Sequence, residues 1–273
     1  MMTPSSDDPT TSVAPEVLGF TQFEFALTDA LIQQLIVCLD DMSVAELNRE
    51  NLANLPNEQG VYQLFLDGQL QYVGKTDRKG GLRQRLNKHF QKLSARPNLR
   101  GGRVTFKAVQ VLVFTAVELE GMLIKHYEKL SSSDVPMAWQ HSGFGSNDPG
   151  KRRDETVFDA NHFDSLHPID IDEPTPFSFN AEDSIGDFLS HIKSNLAYTL
   201  RFQNDGKKNS KTPHKDLQGA ILAVDGTAGT VREALKLSLS KLPKGWQAVN
   251  LPGYVIMYKN DKYFPSGKLI AKS

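Results

Sequence analysis

The sequence predicts an α+β protein (mixed α/β): a small antiparallel sheet flanked by helices, with N-terminal helices before it and a C-terminal α+β extension after it. Three observations carry this. Two strand-like runs, 60–66 and 70–74, bracket Asp67-Gly68, and Asp-Gly between alternating runs is a strong hairpin signal. A third alternating run, 104–114, is long enough to complete a sheet. Between and around these runs, leucines recur at helical spacing. A chain of 273 residues can bury a sizeable core in one or two domains.

Taken in order, residues 1–16 are rich in Thr, Ser, Asp and Pro and read as a disordered tail. A helical segment occupies 17–56: one helix from Thr28 to Asp40, then a short helix from a capping box at Ser43 to about Ala53, ended by Pro56. The hairpin opens a module over 57–160. In it Leu82, Leu86 and Leu93 mark a helix over 81–93, the run 104–114 a strand, and 117–130 a further helix broken by Ser131-Ser132-Ser133-Asp134. Residues 139–156 read as a loop, and 161–180 as an acidic, extended connection. In the extension, 181–273, the pattern predicts helices at 182–197 and 229–242 and strands at 246–249 and 253–258, with 204–216 an exposed, mobile loop.

The formal net charge of −1 conceals a segregation. Between Leu70 and Lys107 stand eleven lysines and arginines against Asp77, whereas 164–187 holds seven acids and no Lys or Arg. A basic run is equally a solvated face or a phosphate-tracking surface. Cys38, the single cysteine, excludes an internal disulfide and a zinc knuckle. Its helical run places it as a core thiol. No apolar stretch reaches the length of a membrane span and no signal peptide is evident, so a cytoplasmic protein is expected.

Some residues exceed what a core needs. Gly60-Val61-Tyr62 and Tyr72-Val73-Gly74 put two phenols on one hairpin, and a glycine beside a strand tyrosine permits close approach of another group. Arg85 and His89 lie at i, i+4 on the basic helix; a guanidinium offers a fork to phosphate oxygens. Glu120 leads a stripe with Leu123, Ile124 and Tyr127. A carboxylate there wants a cation, either an arginine or Mg²⁺ (or Mn²⁺), and Mg²⁺ takes one or two carboxylates with water and phosphate oxygens. Lys151-Arg152-Arg153 follows a Pro-Gly turn and suits guanine edges or phosphates.

In that order, Gly60-Val61-Tyr62, Tyr72-Val73-Gly74-Lys75, Arg85-x-x-x-His89 and Glu120-x-x-Leu123-Ile124 resemble the GIY-YIG nuclease superfamily. With the context Gly143-Phe-Gly-Ser-Asn-Asp-Pro-Gly-Lys-Arg-Arg-Asp, the chain is similar over 40–175 to the small restriction endonucleases of that superfamily that cut CCGCGG. The resemblance implies a three-stranded antiparallel sheet flanked by helices, and a Mg²⁺-dependent hydrolysis of phosphodiesters in double-stranded DNA by a homodimer on a palindromic site. It implies that Tyr62 is the general base with His89 in support, that Tyr72 orients water or phosphate, and that Arg85 stabilises the transition state. Glu120 would be the metal ligand, and Lys75 sits where a family lysine approaches the site. A phenol ionises near ~10, so a base role needs cations to favour phenolate, and the local Lys and Arg are expected to supply it; Lys79 and Lys88, with Lys151, Arg152 and Arg153, are expected to contact the DNA. One departure stands out: the family Asn that follows a Trp is Gln140 here, after Trp139; Asn147 is a less suited substitute, and Gln140→Asn is expected to maintain or raise activity. Two alternatives share the motifs: a repair, recombination or mobile-element nuclease, and a DNA-binding protein that has lost cleavage.

Overall fold

The computed structural model describes residues 27–76, 79–112, 119–131, 137–145, 151–207 and 210–273. The expected tail, the Ser132–Asp134 break, the strand end at 113–114, Asn147 and the side chain of Lys151 lie outside the described residues.

The fold is mixed α/β with antiparallel sheets. Its first half runs α1 (Leu27–Asp41), β1 (Ala45–Glu46), α2 (Arg49–Ala53), β2 (Gly60–Leu66), β3 (Gln69–Thr76), α3 (Leu82–Ser94), β4 (Val104–Gln110) and α4 (Leu119–Leu130). The sheet order is β1-β4-β2-β3, antiparallel throughout. The hairpin turn is as the sequence demands: Asp67 and Gly68 both take positive φ, 50° and 80°, the geometry that lets a two-residue turn match the twist of its strands. Strand alternation sends Val61 and Val73 to one face, where Ile32, Leu35, Leu39 and Leu123 of α1 and α4 cover them. Tyr62, Leu64 and Tyr72 face the other way, onto Leu82, Leu86 and Leu93 of α3. Each such leucine, fully buried, contributes roughly 1.5–3 kcal/mol, which fixes α3 across the hairpin and so places its Arg85 and His89 over the phenols.

Three expectations fail in this half. The implied three-stranded sheet has a fourth strand, β1, on the edge of β4. No helix begins at Ser43: Ala45 and Glu46 pair with Phe106 and Thr105 on the edge of β4, and α2 starts instead after Asn48, whose side chain accepts from the Asn51 N–H at 2.9 Å. Pairing the open backbone edge of β4 outweighs a local capping signal. Cys38 is exposed rather than in the core. The buried stripe of α1 runs through Ile32, Leu35, Ile36 and Leu39, which turns position 38 outward.

The second half contains α5 (Lys151–Asp154), α6 (Phe163–Leu166), β5 (Phe177–Phe179), α7 (Ile185–Asn195), β6 (Thr199–Phe202), α8 (Lys215–Gly219), β7 (Gly226–Ala228), α9 (Val231–Ser240), β8 (Trp246–Leu251), β9 (Tyr254–Lys259) and β10 (Lys268–Lys272). Its sheet has the order β10-β8-β9-β6, with β6 parallel to β9. One face, with Val255 and Met257, packs under α7 and α9. The other carries Tyr254, Ile256 and Tyr258. The stretch 161–180 is more built than an extended connection: Phe163, Asp164, Ile169, Ile171 and Phe177 are all buried. Within 204–216, Asn204 bridges to Pro213 and His214 caps α8, whose Leu217 is buried. Elements of three to five residues are too short to leave a period in the sequence.

Buried charge ties the halves together. Arg96, just past α3, donates to the carbonyls of His167 (2.8 Å) and Pro252 (3.1 Å) and to Asp164 (2.8 Å). Within the second half, Asp154, at the end of α5, accepts from Arg201 (2.7 Å), Tyr254 (2.7 Å) and Tyr258 (3.2 Å). A buried carboxylate costs several kcal/mol unless it is paired and hydrogen-bonded, and both are.

Candidate active site

The site begins with a register. Tyr62 lies directly across from Gly74, and Leu64 across from Tyr72, so Tyr62 and Tyr72 point to the same face as diagonal neighbours. Their ring centroids are 6.1 Å apart. Gly74 is required by this arrangement: a Cβ there would lie 2.5 Å from Tyr62 Cζ and 2.8 Å from Tyr72 Cε1.

Helix α3 brings the other groups. His89 Nε2 is 2.8 Å from Tyr62 Oη, and Arg85 Nε donates to the same oxygen at 3.2 Å. His89 is 4% exposed and stacks on Phe144 with centroids 4.7 Å apart. Burial, reinforced by the charges of Arg85 and Lys92, holds the imidazole well below its usual range, hence neutral. A neutral ring protonated on Nδ1 accepts from Tyr62 at Nε2. The Arg85 fork also reaches the Gly145 carbonyl at 3.2 Å, so the 137–145 segment holds it in place.

The phenols do not ionise easily. Burial pushes Tyr62 up, Tyr72 adds to the rise, and Arg85 pulls it down without winning. Tyr72 is raised for the same first reason. The expectation that surrounding cations would favour phenolate is therefore corrected: the charge and hydrogen bond of Arg85 oppose the rise, and they do not offset desolvation.

Glu120 sits in the first turn of α4. It is close enough to both phenols for its charge to oppose their ionisation, and its Oε2 lies 3.8 Å from Lys75 Nζ. Among the described residues no group of three or more His, Cys, Asp or Glu could form a metal cage. What remains is one hard, partly exposed carboxylate, Glu120, the kind of single donor that suits Mg²⁺ when water and other oxygens complete the shell.

The remaining expected residues divide. Gln140 bonds backbone rather than a phenol: its Oε1 accepts from the Val73 N–H at 2.9 Å, while the Trp139 N–H donates to the Gln71 carbonyl at 3.1 Å. The segment thus caps the open edge of β3. Arg153 is turned inward, bonded to Asp164 and stacked over Phe158 at 4.7 Å, so it is not available to read a base. Arg152, Lys79 and Lys88 are exposed. Sequence reasoning missed Lys92 and Phe144: Lys92 donates to the Phe144 carbonyl at 2.8 Å and lies over the rings of Phe144 and Phe163. Their one signal was position, Lys92 three residues after His89 and Phe144 in Gly-Phe-Gly. No family model matches the chain, and none of the curated proteins does. No helix among the described residues is long and apolar enough to cross a membrane.

Proposed function

We propose that the protein is a metal-dependent endonuclease that hydrolyses phosphodiester bonds in double-stranded DNA, of the GIY-YIG type and acting as a restriction enzyme. One observation carries the reading: the Tyr62 oxygen sits between a neutral imidazole at 2.8 Å and a guanidinium at 3.2 Å. A core phenol needs one partner; a phenol placed to pass a proton needs an acceptor on one side and charge stabilisation on the other.

In this reading the attacking water gives its proton to Tyr62 Oη as Tyr62 gives its own to His89 Nε2, so a free phenolate is not required. Arg85 offsets the charge that grows on the phosphate, and Tyr72 holds the water or a phosphate oxygen. Glu120 would hold Mg²⁺ or Mn²⁺, which supplies Lewis-acid stabilisation of the leaving oxygen. Lys75, with its Nζ 3.8 Å from Glu120 Oε2, steadies that carboxylate. The Gln140 departure falls on a backbone contact, so it removes no group from the phenol cluster. A palindromic target would be cut by two copies related by its two-fold axis.

The test is incubation with supercoiled plasmid and Mg²⁺, followed by end mapping. Wild type is expected to cut. Arg85→Ala is expected to lose on the order of 10²–10³ in rate, and Tyr62→Phe about 10²–10⁴. A wild type that cuts no DNA, or a Glu120→Ala variant that cuts equally well, sinks the proposal.

A further inference from the structure

Between α3 and the C-terminal half lies a cavity of about 420 Å³. Five cations line it, Lys88, Lys92, Arg96, Arg153 and Lys193, against one carboxylate, Asp164. A second cavity, of about 380 Å³, continues along α3 from the first, sharing Lys88 and Gln91 and adding Arg83, Gln84 and Asn87. The two form one trough. Its floor is occupied: Arg96 and Arg153 are both bonded to Asp164, and Lys92 to the Phe144 carbonyl. Its rims are not. Lys88 on α3 and Lys193 on α7 are exposed, and neither has an ion-pair partner among the described residues. Lys193 rests over the Phe202 ring at 5.5 Å, which aligns its stem without neutralising it.

We propose that this trough holds the phosphodiester backbone of the DNA strand flanking the cleaved bond, with Lys88 and Lys193 as phosphate contacts from opposite walls. The C-terminal half is then one side of the DNA cleft. This inference rests on the nuclease reading above. The trough adjoins that site through Lys92, which bonds the residue on which His89 stacks. Its length suits a DNA backbone: Arg83 to Lys92 along α3 spans ~14 Å, about four base-pair steps of duplex axis at ~3.4 Å each. Gln84, Asn87 and Gln91 add neutral groups of the kind that bond phosphates. The positive surplus also has a cost that an anion would relieve. Burial drags Lys92 down to about 8, with Asp164 pulling it up and Arg96, Arg153 and Arg85 pushing it down.

The experiment measures binding of a fluorescent duplex by anisotropy in EDTA over a series of KCl concentrations, with plasmid cleavage in Mg²⁺ assayed in parallel. Each phosphate contact removed should lower the slope of log K against log[salt] by about 0.9. The full-length Lys88→Ala/Lys193→Ala variant should therefore lose roughly 1.8 from the slope. A charge-matched Lys241→Ala/Lys244→Ala variant, outside the trough, should retain the wild-type slope. Thermal melting checks that all variants fold. A trough variant with the wild-type slope, or a wild type that binds no duplex, overturns the inference. Inorganic phosphate is titrated at fixed ionic strength: phosphate binding lost in the trough variant while its DNA slope is unchanged would make this a small-anion site, and also overturns it. The two proposals separate cleanly. Cleavage with an unchanged slope removes the trough alone, and a reduced slope without cleavage removes the nuclease reading alone.

Discussion

Replacing Gly74 by alanine tests the geometry of the site without removing any of its polar groups. The new methyl would sit 2.5 Å from Tyr62 Cζ and 2.8 Å from Tyr72 Cε1, where ordinary contact begins at 3.4 Å. The rings must retreat by roughly 0.9 and 0.6 Å, beyond what a packed core absorbs without cost. Neither can retreat freely, because Tyr62 is bonded to His89 and Arg85, and Tyr72 packs edge-on against Phe144 at 5.2 Å. Overpacking of this kind costs about 1–3 kcal/mol of stability, and a displacement of ~1 Å in a reacting group costs on the order of 100-fold in rate. Single-turnover cleavage, measured with enzyme in excess well below the variant's melting temperature, separates the two effects. Gly121→Ala is the control: it lies beside Glu120, but its Cβ would meet nothing within 4 Å, so rate should hold and stability rise slightly through helix propensity. A Gly74→Ala variant that cleaves at the wild-type rate would refute the idea that the spacing of the phenols is functional.

Asp164→Ala should lower stability by about 3–5 kcal/mol, because it leaves the buried Arg96 charge, 2% exposed, with backbone carbonyls but no carboxylate partner. Arg100→Ala, which breaks an exposed pair with Glu173, should cost ~1 kcal/mol or less, and urea titration of both variants compares them directly. Gln140→Asn should lose ~1 kcal/mol rather than gain activity, since the shorter amide stops about 1.5 Å short of the Val73 N–H; a variant with full stability and a faster rate would restore the residue to the chemistry. Stability should also fall on acidification. His89, His162 and His167 are all held below the ordinary histidine range, foremost by burial, His167 at about 4. The unfolded chain therefore takes up protons before the folded one, and stability present above pH ~6.5 is lost as pH falls towards ~4. Denaturation midpoints across that window should flatten in His167→Asn, and an unchanged profile would show that the ring is not protonated on unfolding there.

Much of this protein is settled by local pattern. The hairpin was legible because Asp67-Gly68 is a turn whose backbone demands those residues, and α3 because Leu82, Leu86 and Leu93 repeat at the helical period. Strand alternation puts Tyr62 and Tyr72 on one face and the i, i+4 spacing puts Arg85 and His89 on another, while the packing of α3 leucines on the hairpin joins the two pairs. What the tertiary structure decided are matters of burial and of pairing between distant segments. Burial keeps His89 neutral and raises both phenols, against what a count of nearby cations implies. Asp164, 68 positions from Arg96, takes up Arg96 and Arg153, so a run of basic residues supplies structural clamps as well as exposed charge. Gln140 became an edge cap because the open N–H of Val73 needed an acceptor. Desolvation and long-range pairing depend on which surfaces meet, and no periodicity along the chain encodes that.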